Sequence, residues 1–389
     1  MNRRHHRLLL ATTALMPLGT WLAVANPLGG QVAGGSATIQ GQGTSTVTVT
    51  QSSQNAVINW NTFNIGSGDK TNINMPSASA VGLERVTGNL GPSTIDGSLW
   101  SNGILFLVNP NGILFGQGAQ VNVGGLLATT HDIKDNDFMA GRYNFNIPGN
   151  PTASVVNQGT ITAAQGGFAA LVAPGVRNSG IIEATLGTVG LAAGNGFTLD
   201  MYGDKLITLA VGDSIAGQVK DVATGQPLTS LISNSGKLSA DGGKVQITAA
   251  AAKTVVDSVI NNTGVIEANA IADKGGTITL SAATASSKPA GAPAQNVKLA
   301  GTISAAGKNT GQKGGTITIT GENIALAGAK LDASGRAGGG TVLVGGSGSA
   351  TSGTASPTAT TVTADKTTTI DASTTLNGDG GRVVVRAGQ

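Results

Sequence analysis

The chain has 389 residues, of which 60 are Gly, 11% are charged and 3% are aromatic, and it has no Cys. That excludes a disulfide scaffold, a thiol enzyme and a Cys-ligated metal site, and it is a poor match to disorder or to a coiled coil. The formal charge of +3 comes from Arg3, Arg4 and Arg7: beyond residue 25, 20 basic residues face 20 acidic ones, so a basic nucleic-acid-binding face has little support.

Glycine with β-branched and small polar residues suits many short strands joined by turns. The length exceeds one ordinary core, so several domains or a solenoid are expected. In chain order, residues 1–25 read as a signal peptide. A basic head is followed by an apolar run at 8–22, broken by Pro17 and Gly19, and then by Ala23-Val24-Ala25, with Ala23 and Ala25 the small residues required for cleavage. No later segment is long and apolar enough to span a membrane as a helix.

From residue 26 the pattern is short strands and frequent turns. Ser45-Thr46-Val47-Thr48-Val49-Thr50 alternates at period two, as a half-buried strand does. Val57-Ile58-Asn59-Trp60, Phe63-Asn64-Ile65, residues 81–86, Leu99 with Trp100, and residues 103–108 follow. Asn109-Pro110-Asn111-Gly112 then separates two apolar runs, 105–108 and 113–115. Pro110 lacks an N–H and fixes its own φ, and Asn111 and Gly112 most readily accept positive φ. The local reading is strand, tight turn, buried strand.

Several of these segments occur in a recognisable order. Gly30-Gln31-Val32-Ala33-Gly34-Gly35, Asn59-Trp60-Asn61-Thr62-Phe63-Asn64-Ile65, Glu84-Arg85-Val86-Thr87-Gly88 and the run 108–130 together resemble the N-terminal secretion domain of two-partner secretion exoproteins, of the filamentous haemagglutinin and high-molecular-weight adhesin type. The resemblance covers residues 26–213 and is closer to the adhesin branch. Asn109, Pro110, Asn111, Gly112 and Ile113 match the family's Asn-Pro-Asn-Gly-Ile secretion motif residue for residue; its second motif, Asn-Pro-Asn-Leu, is absent. The resemblance implies an all-β, single-stranded right-handed parallel β-helix with an N-terminal cap and extra-helical hairpins. It implies export by the Sec machinery, cleavage by signal peptidase, and passage through an outer-membrane barrel transporter with periplasmic POTRA domains. The protein would then be secreted or held at the surface of a Gram-negative bacterium, facing a host or neighbouring-cell receptor. No cofactor is implied.

Residues 132–150 interrupt the strand pattern. His131, Asp132, Asp135 and Asp137 cluster before a loop with Gly and Pro. A small metal site is one reading, but without recognised ligand spacing a solvated excursion is preferred and no metal is expected.

From Val155 the sequence repeats. Asn157, Asn178, Asn234 and Asn262 each open an Asn-x-Gly-x-(Ile/Leu) element, and Gly-Gly pairs at 242, 275, 314, 339 and 380 each precede an alternating strand. The steps from Ile161 through Ile182, Leu238, Ile266, Ile303 and Leu331 to Ile370 are 21, 56, 28, 37, 28 and 39 residues. The base is 21–28 residues, with 56 read as twice 28, a solenoid signature with insertions at 286–294 and 345–361. The four Asn could stack as a ladder joining rungs or serve only their own turns. Every aromatic residue lies at or before Tyr202, so the later rungs are expected to have a narrower core. A cap is expected within residues 36–50, and the last rung reads as the start of a longer shaft cut short.

The domains are accordingly a signal peptide at 1–25, a secretion domain at 26–213 and a β-helical shaft at 214–389. Two rivals remain: the stem of a contact-dependent inhibition toxin without its toxin domain, and a β-helical carbohydrate-active enzyme. For the enzyme, Glu183, Asp241, Glu267, Asp332 and Asp371 are thinly spread over turns without a nucleophile or base, and no Gly-x-Ser-x-Gly, P-loop or His-Glu-x-x-His motif is present. No catalytic residue is assigned.

Overall fold

A computed structural model describes residues 26–210, 213–254, 256–346 and 358–388. The expected cleavage residues Ala23 and Ala25, and most of the 345–361 insertion, lie outside them.

The strands form three long sheets. The first has 12 strands, from Gln31–Gly34 to Arg382–Val385; the second has nine, from Ser93–Ile95 to Thr361–Ala364; the third has 12, from Ala37–Gln40 to Thr369–Asp371. Successive strands visit the sheets in turn: Ile104–Val108 lies on the first, Ile113–Phe115 on the second and Gln120–Val123 on the third. Gly125–Thr129 then returns to the first, parallel to Ile104–Val108. This is the right-handed parallel β-helix that the resemblance implies, one rung per circuit.

Side chains at alternate positions fill the lumen. Ile161, Ile182, Leu238, Ile266, Ile303 and Leu331 stack in register on the third sheet, each at most 1% exposed. Burying each such side chain is worth about 1.5–3 kcal/mol, but only when the next rung is in place. The register corrects one reading. Ile182 pairs directly with Leu238, so the 56-residue step is one rung with a long insertion and not two rungs. The insertion carries the antiparallel hairpin Phe197–Leu199 with Ile207–Leu209.

Close approach, and not turn chemistry alone, explains the repeated glycines. A Cβ on Gly180, Gly236 or Gly264 would lie 2.1–2.2 Å from the carbonyl oxygen of the equivalent Gly one rung earlier. The second Gly of the Gly-Gly pairs is equally confined: at Gly243, Gly315 and Gly340 the distance is 2.1 Å. Two glycine columns therefore run along the corners, where any side chain would force the rungs apart.

At the N-terminal end two strands reverse direction. Gln31–Gly34 pairs antiparallel with Asn55–Trp60, and Ala37–Gln40 with Thr46–Gln51. The cap thus begins before residue 36 and covers the edges of two sheets, which would otherwise be open to pairing with another chain.

The 132–150 excursion is largely exposed, as expected of a solvated segment, but Ile133, Phe138 and Phe145 are buried and pin it to the β-helix. Its helix Asp135–Met139 and strand Asn144–Phe145 fold back over the outer face of the first sheet. Phe138, Tyr143 and Phe145 surround Phe106, with ring centroids 5.8, 5.0 and 5.8 Å away, and Phe197 of the later hairpin stacks on Phe145 at 4.7 Å. These rings form a second core outside the lumen, together with Val57, Leu83 and Leu127.

Candidate functional site

Asn109-Pro110-Asn111-Gly112 forms the corner between the first and second sheets. Asn109 leaves strand Ile104–Val108 and is 1% exposed. Its backbone carbonyl accepts from Gly112 N at 3.1 Å, closing a four-residue turn, and its Oδ1 accepts from Asn111 N at 2.9 Å. Its Nδ2 donates to Gly91 O at 3.2 Å and to Ser93 Oγ at 3.0 Å, both on the preceding rung. Its backbone N–H donates to Thr129 O on the following rung at 3.1 Å. The carboxamide is fully engaged, two donors one way and one acceptor the other, which no other side chain of that size reproduces.

The remaining residues of the motif complete the junction. Gly112 has φ +114°, and a Cβ there would meet Ser154 O and Val222 Cγ2 at 3.0 Å. Asn111, which the sequence equally allowed a positive φ, does not adopt one. Gly112 O accepts from Ser93 N at 3.0 Å, and Pro110 O accepts from Asn150 N at 3.0 Å. Ile113 is fully buried and opens strand Ile113–Phe115, which pairs with Ser93–Ile95 before it and Ser154–Asn157 after it. The corner therefore ties three rungs together. Asn111 is half-buried, and its Nδ2 makes only a 3.4 Å contact with Asn89 Oδ1.

The four repeat asparagines occupy one lumen corner on the second sheet. Asn157 Nδ2 donates to Asn178 Oδ1 at 2.8 Å, Asn178 to Asn234 at 2.7 Å, and Asn234 to Asn262 at 2.7 Å. Three of the four also bond within their own turns: Asn157 Oδ1 accepts from Gly159 N at 3.2 Å, and Asn178 Nδ2 and Asn262 Nδ2 donate to Gly180 O and Gly264 O, each at 3.3 Å. In register the column runs from Phe115 to Leu299, so apolar side chains close both of its ends.

The His131 cluster does not converge on a common point. His131 is 1% exposed, its Nδ1 lies 3.4 Å from Thr129 Oγ1, and its ring packs edge-on against Phe197. Burial lowers its pKa to about 4. Asp132 and Asp135 instead hold Arg85: Nε to Asp132 Oδ1 at 2.8 Å and Nη1 to Asp135 Oδ1 at 2.6 Å, while Nη2 donates to Ile133 O at 2.7 Å. Asp137 pairs with Arg142 at 2.7 Å. Among the described residues no group of three or more acidic, His or Cys side chains is placed to hold a metal ion. Arg85 fastens the excursion to the β-helix, a role not readable from sequence because its partners lie 47 and 50 residues away. No helix among the described residues is long and apolar enough to cross a membrane.

A family model of the TPS secretion domain matches residues 23–295. The heme/hemopexin-binding protein of Haemophilus influenzae strain Rd is 31% identical over 264 residues, covering 66% of this chain and 27% of its own. The chain thus spans about a quarter of the length of the curated relatives it matches. The crystal structure of the HMW1 secretion domain from Haemophilus influenzae superposes with a TM-score of 0.72 at 29% identity, covering 90% of this chain and 84% of that one. The filamentous hemagglutinin secretion domain gives 0.44 at 15% identity, covering 92% and 96%. The chain belongs to the TPS secretion domain family, a family of exoprotein secretion domains and not of enzymes, whose members are exported by Gram-negative bacteria to the cell surface or beyond it.

Proposed function

We propose that residues 26–213 are recognised by an outer-membrane barrel transporter with periplasmic POTRA domains, after Sec export and signal-peptidase cleavage following Ala25. The residues beyond would then be drawn outward as the first rungs of a surface shaft that meets a receptor on a host or neighbouring cell. The observation that carries this reading is the 109–112 corner. Asn109, Pro110, Asn111, Gly112 and Ile113 act in secretion by fixing the rung on which the next ones stack. Support comes from Asn109 having no free side-chain atom to offer a partner while tying the preceding rung to its own. Rung-by-rung stacking outside the cell supplies much of the drive for export, because each rung buries its face only against the next.

The test is co-expression of the chain with a POTRA-bearing outer-membrane barrel transporter, followed by measurement of extracellular protein. Secretion should require the transporter and fall when Asn109 and Asn111 are both replaced by Ala. Normal secretion of that double variant, or secretion without any transporter, would defeat the assignment.

A further inference from the structure

Near the N-terminal end of the lumen sits a carboxyl group that the secretion corner does not use. Glu84 lies on strand Val81–Val86 with no exposed surface, flanked in register by Ile58 and Leu107. Trp60 Nε1 donates to its Oε2 at 2.5 Å, while its Oε1 meets no donor. Gln51 Oε1 is likewise buried and without a partner. The Gln51 amide cannot flip to relieve this, because its Nε2 donates to the carbonyls of Ser53, Gln54 and Val81 at 2.8, 3.2 and 3.2 Å. Both orphaned oxygens lie against Gly82. A Cβ at that position would be 3.1 Å from Gln51 Oε1 and 3.5 Å from Glu84 Oε1, with Met75 Cε at 2.8 Å. Two buried acceptors facing one apolar spot repel each other, and a single proton between them converts the conflict into a hydrogen bond.

We propose that Glu84 is held as the neutral acid and donates its proton to Gln51 Oε1, so that a proton-operated clasp fastens the N-terminal cap to the first rungs. Its three side chains come from the strands that matter for the cap. Gln51 ends Thr46–Gln51, on which cap strand Ala37–Gln40 pairs, and Trp60 ends Asn55–Trp60, on which Gln31–Gly34 pairs. Glu84 belongs to the strand stacked on Asn55–Trp60. Among the described residues no other ionisable group bears on Glu84. Ile58, Leu107, Met75, Trp60 and Gln51 are neutral, and Arg85 turns to the opposite face of the sheet, towards Asp132 and Asp135. Burial accordingly lifts the Glu84 carboxyl from 4.5 to about 7, against the lowering effect of the Trp60 hydrogen bond.

The direction of the pH effect follows. An unfolded Glu84 releases its proton near pH 4.5 and the folded one near 7, so folding takes up a proton between those values. The stabilisation is complete below pH 4.5, declines as pH rises and is gone above about 7. Mild acidity fastens the cap and mild alkalinity loosens it, exposing the two sheet edges that the cap strands cover. This clasp is independent of which transporter reads the domain.

Hydrogen exchange of the full chain, followed by mass spectrometry and corrected for intrinsic rates, tests the clasp. In peptides spanning 51–60 and 81–86, protection should fall on the order of 70-fold between about pH 5 and about pH 8. Peptides over the distant strand Thr316–Thr320 should not show this fall. In Glu84→Gln the new amide can donate to Gln51 Oε1 and accept from Trp60, so its protection should stay flat. A second reading needs no variant: the infrared band of a neutral carboxyl group should be present in the wild type near pH 6 and titrate away through about pH 7. Wild-type protection independent of pH, absence of the neutral-carboxyl band, or a Glu84→Gln variant with the wild-type pH dependence would each overturn the proposal.

Discussion

At the scale of single residues, Asn109 shows why a motif can look like a turn and be more. A tight turn needs only a Gly and a residue that tolerates the bend, and Gly112 at φ +114° supplies the first. What the turn alone does not require is a buried carboxamide donating to Gly91 O and Ser93 Oγ on the rung before. Asn109→Asp keeps the shape but removes both donors, leaving a buried carboxylate against a carbonyl. It should cost about 2–4 kcal/mol in urea unfolding, whereas Asn111→Ala, which loses one long contact, should cost less than about 0.5 kcal/mol. His131 makes a second prediction. Its folded pKa of about 4 lies below the unfolded 6.5, so its stabilisation is complete above pH 6.5 and lost as pH falls through 4. In global unfolding the Glu84 clasp has the opposite slope between pH 4.5 and 6.5, so the two offset each other in the wild type, whereas local opening of the cap leaves His131 packed on Phe197 and reads Glu84 alone. In a Glu84→Gln background the His131 slope should emerge alone, lowering stability by about 3 kcal/mol between pH 7 and pH 4, and His131→Gln should remove it.

At the scale of elements, the asparagine column joins four rungs through side chains inside the corner rather than through the sheet ladders. Asn178 sits between two neighbours, donating to Asn234 and accepting from Asn157, while Asn262 ends the column below Leu299. Asn178→Ala should therefore destabilise more than Asn262→Ala, by about 1–3 kcal/mol, since it strands a buried acceptor on one side and a donor on the other. A double-mutant cycle of Asn178→Ala with Asn234→Ala, read by denaturant midpoint, should show coupling of about 0.5–3 kcal/mol. These elements were largely legible in the sequence. The Ile161-to-Leu331 spacing gave the register of the third sheet, and alternation gave strands such as Thr46–Gln51. The 56-residue step misled because its length happens to be two average rungs, and nothing local distinguishes an inserted hairpin from an extra rung. The second core was hidden for a related reason. Phe106, Phe138, Phe145 and Phe197 are far apart in the chain, and only the excursion's return over the first sheet brings them together. Acids that looked like one cluster were committed to Arg85 and Arg142, and the Gln51–Trp60–Glu84 arrangement carried no local pattern at all.

At the scale of the molecule, the first half and the second differ in what holds them. The early rungs carry an antiparallel cap, a lumen with Trp60 packed edge-on to Phe63, and an outer aromatic layer. The later ones rely on Ile, Val and Leu stacked in a lumen without aromatic side chains, with outward Thr rows such as Thr277, Thr279, Thr316 and Thr318. A solenoid of this kind is stable as a sum of neighbouring interfaces, so a fault in an early rung is felt by the rungs next to it and fades along the stack. Removing the excursion's anchor should show this asymmetry. Phe106→Ala, at the centre of the outer core, should cost about 3–5 kcal/mol and open the early rungs to proteolysis, while the equivalent protection of Thr316–Thr320 survives.

We propose that the 109–112 corner serves export by holding its rung together. The most direct measurement is the extracellular yield of Asn109→Ala and Asn111→Ala, each co-expressed with the transporter, set beside the urea midpoint of each purified protein. Yield should fall with stability in Asn109→Ala and stay near wild type in Asn111→Ala. Loss of secretion in Asn111→Ala at an unchanged midpoint would contradict it, because the motif would then be read by contact and not through the fold.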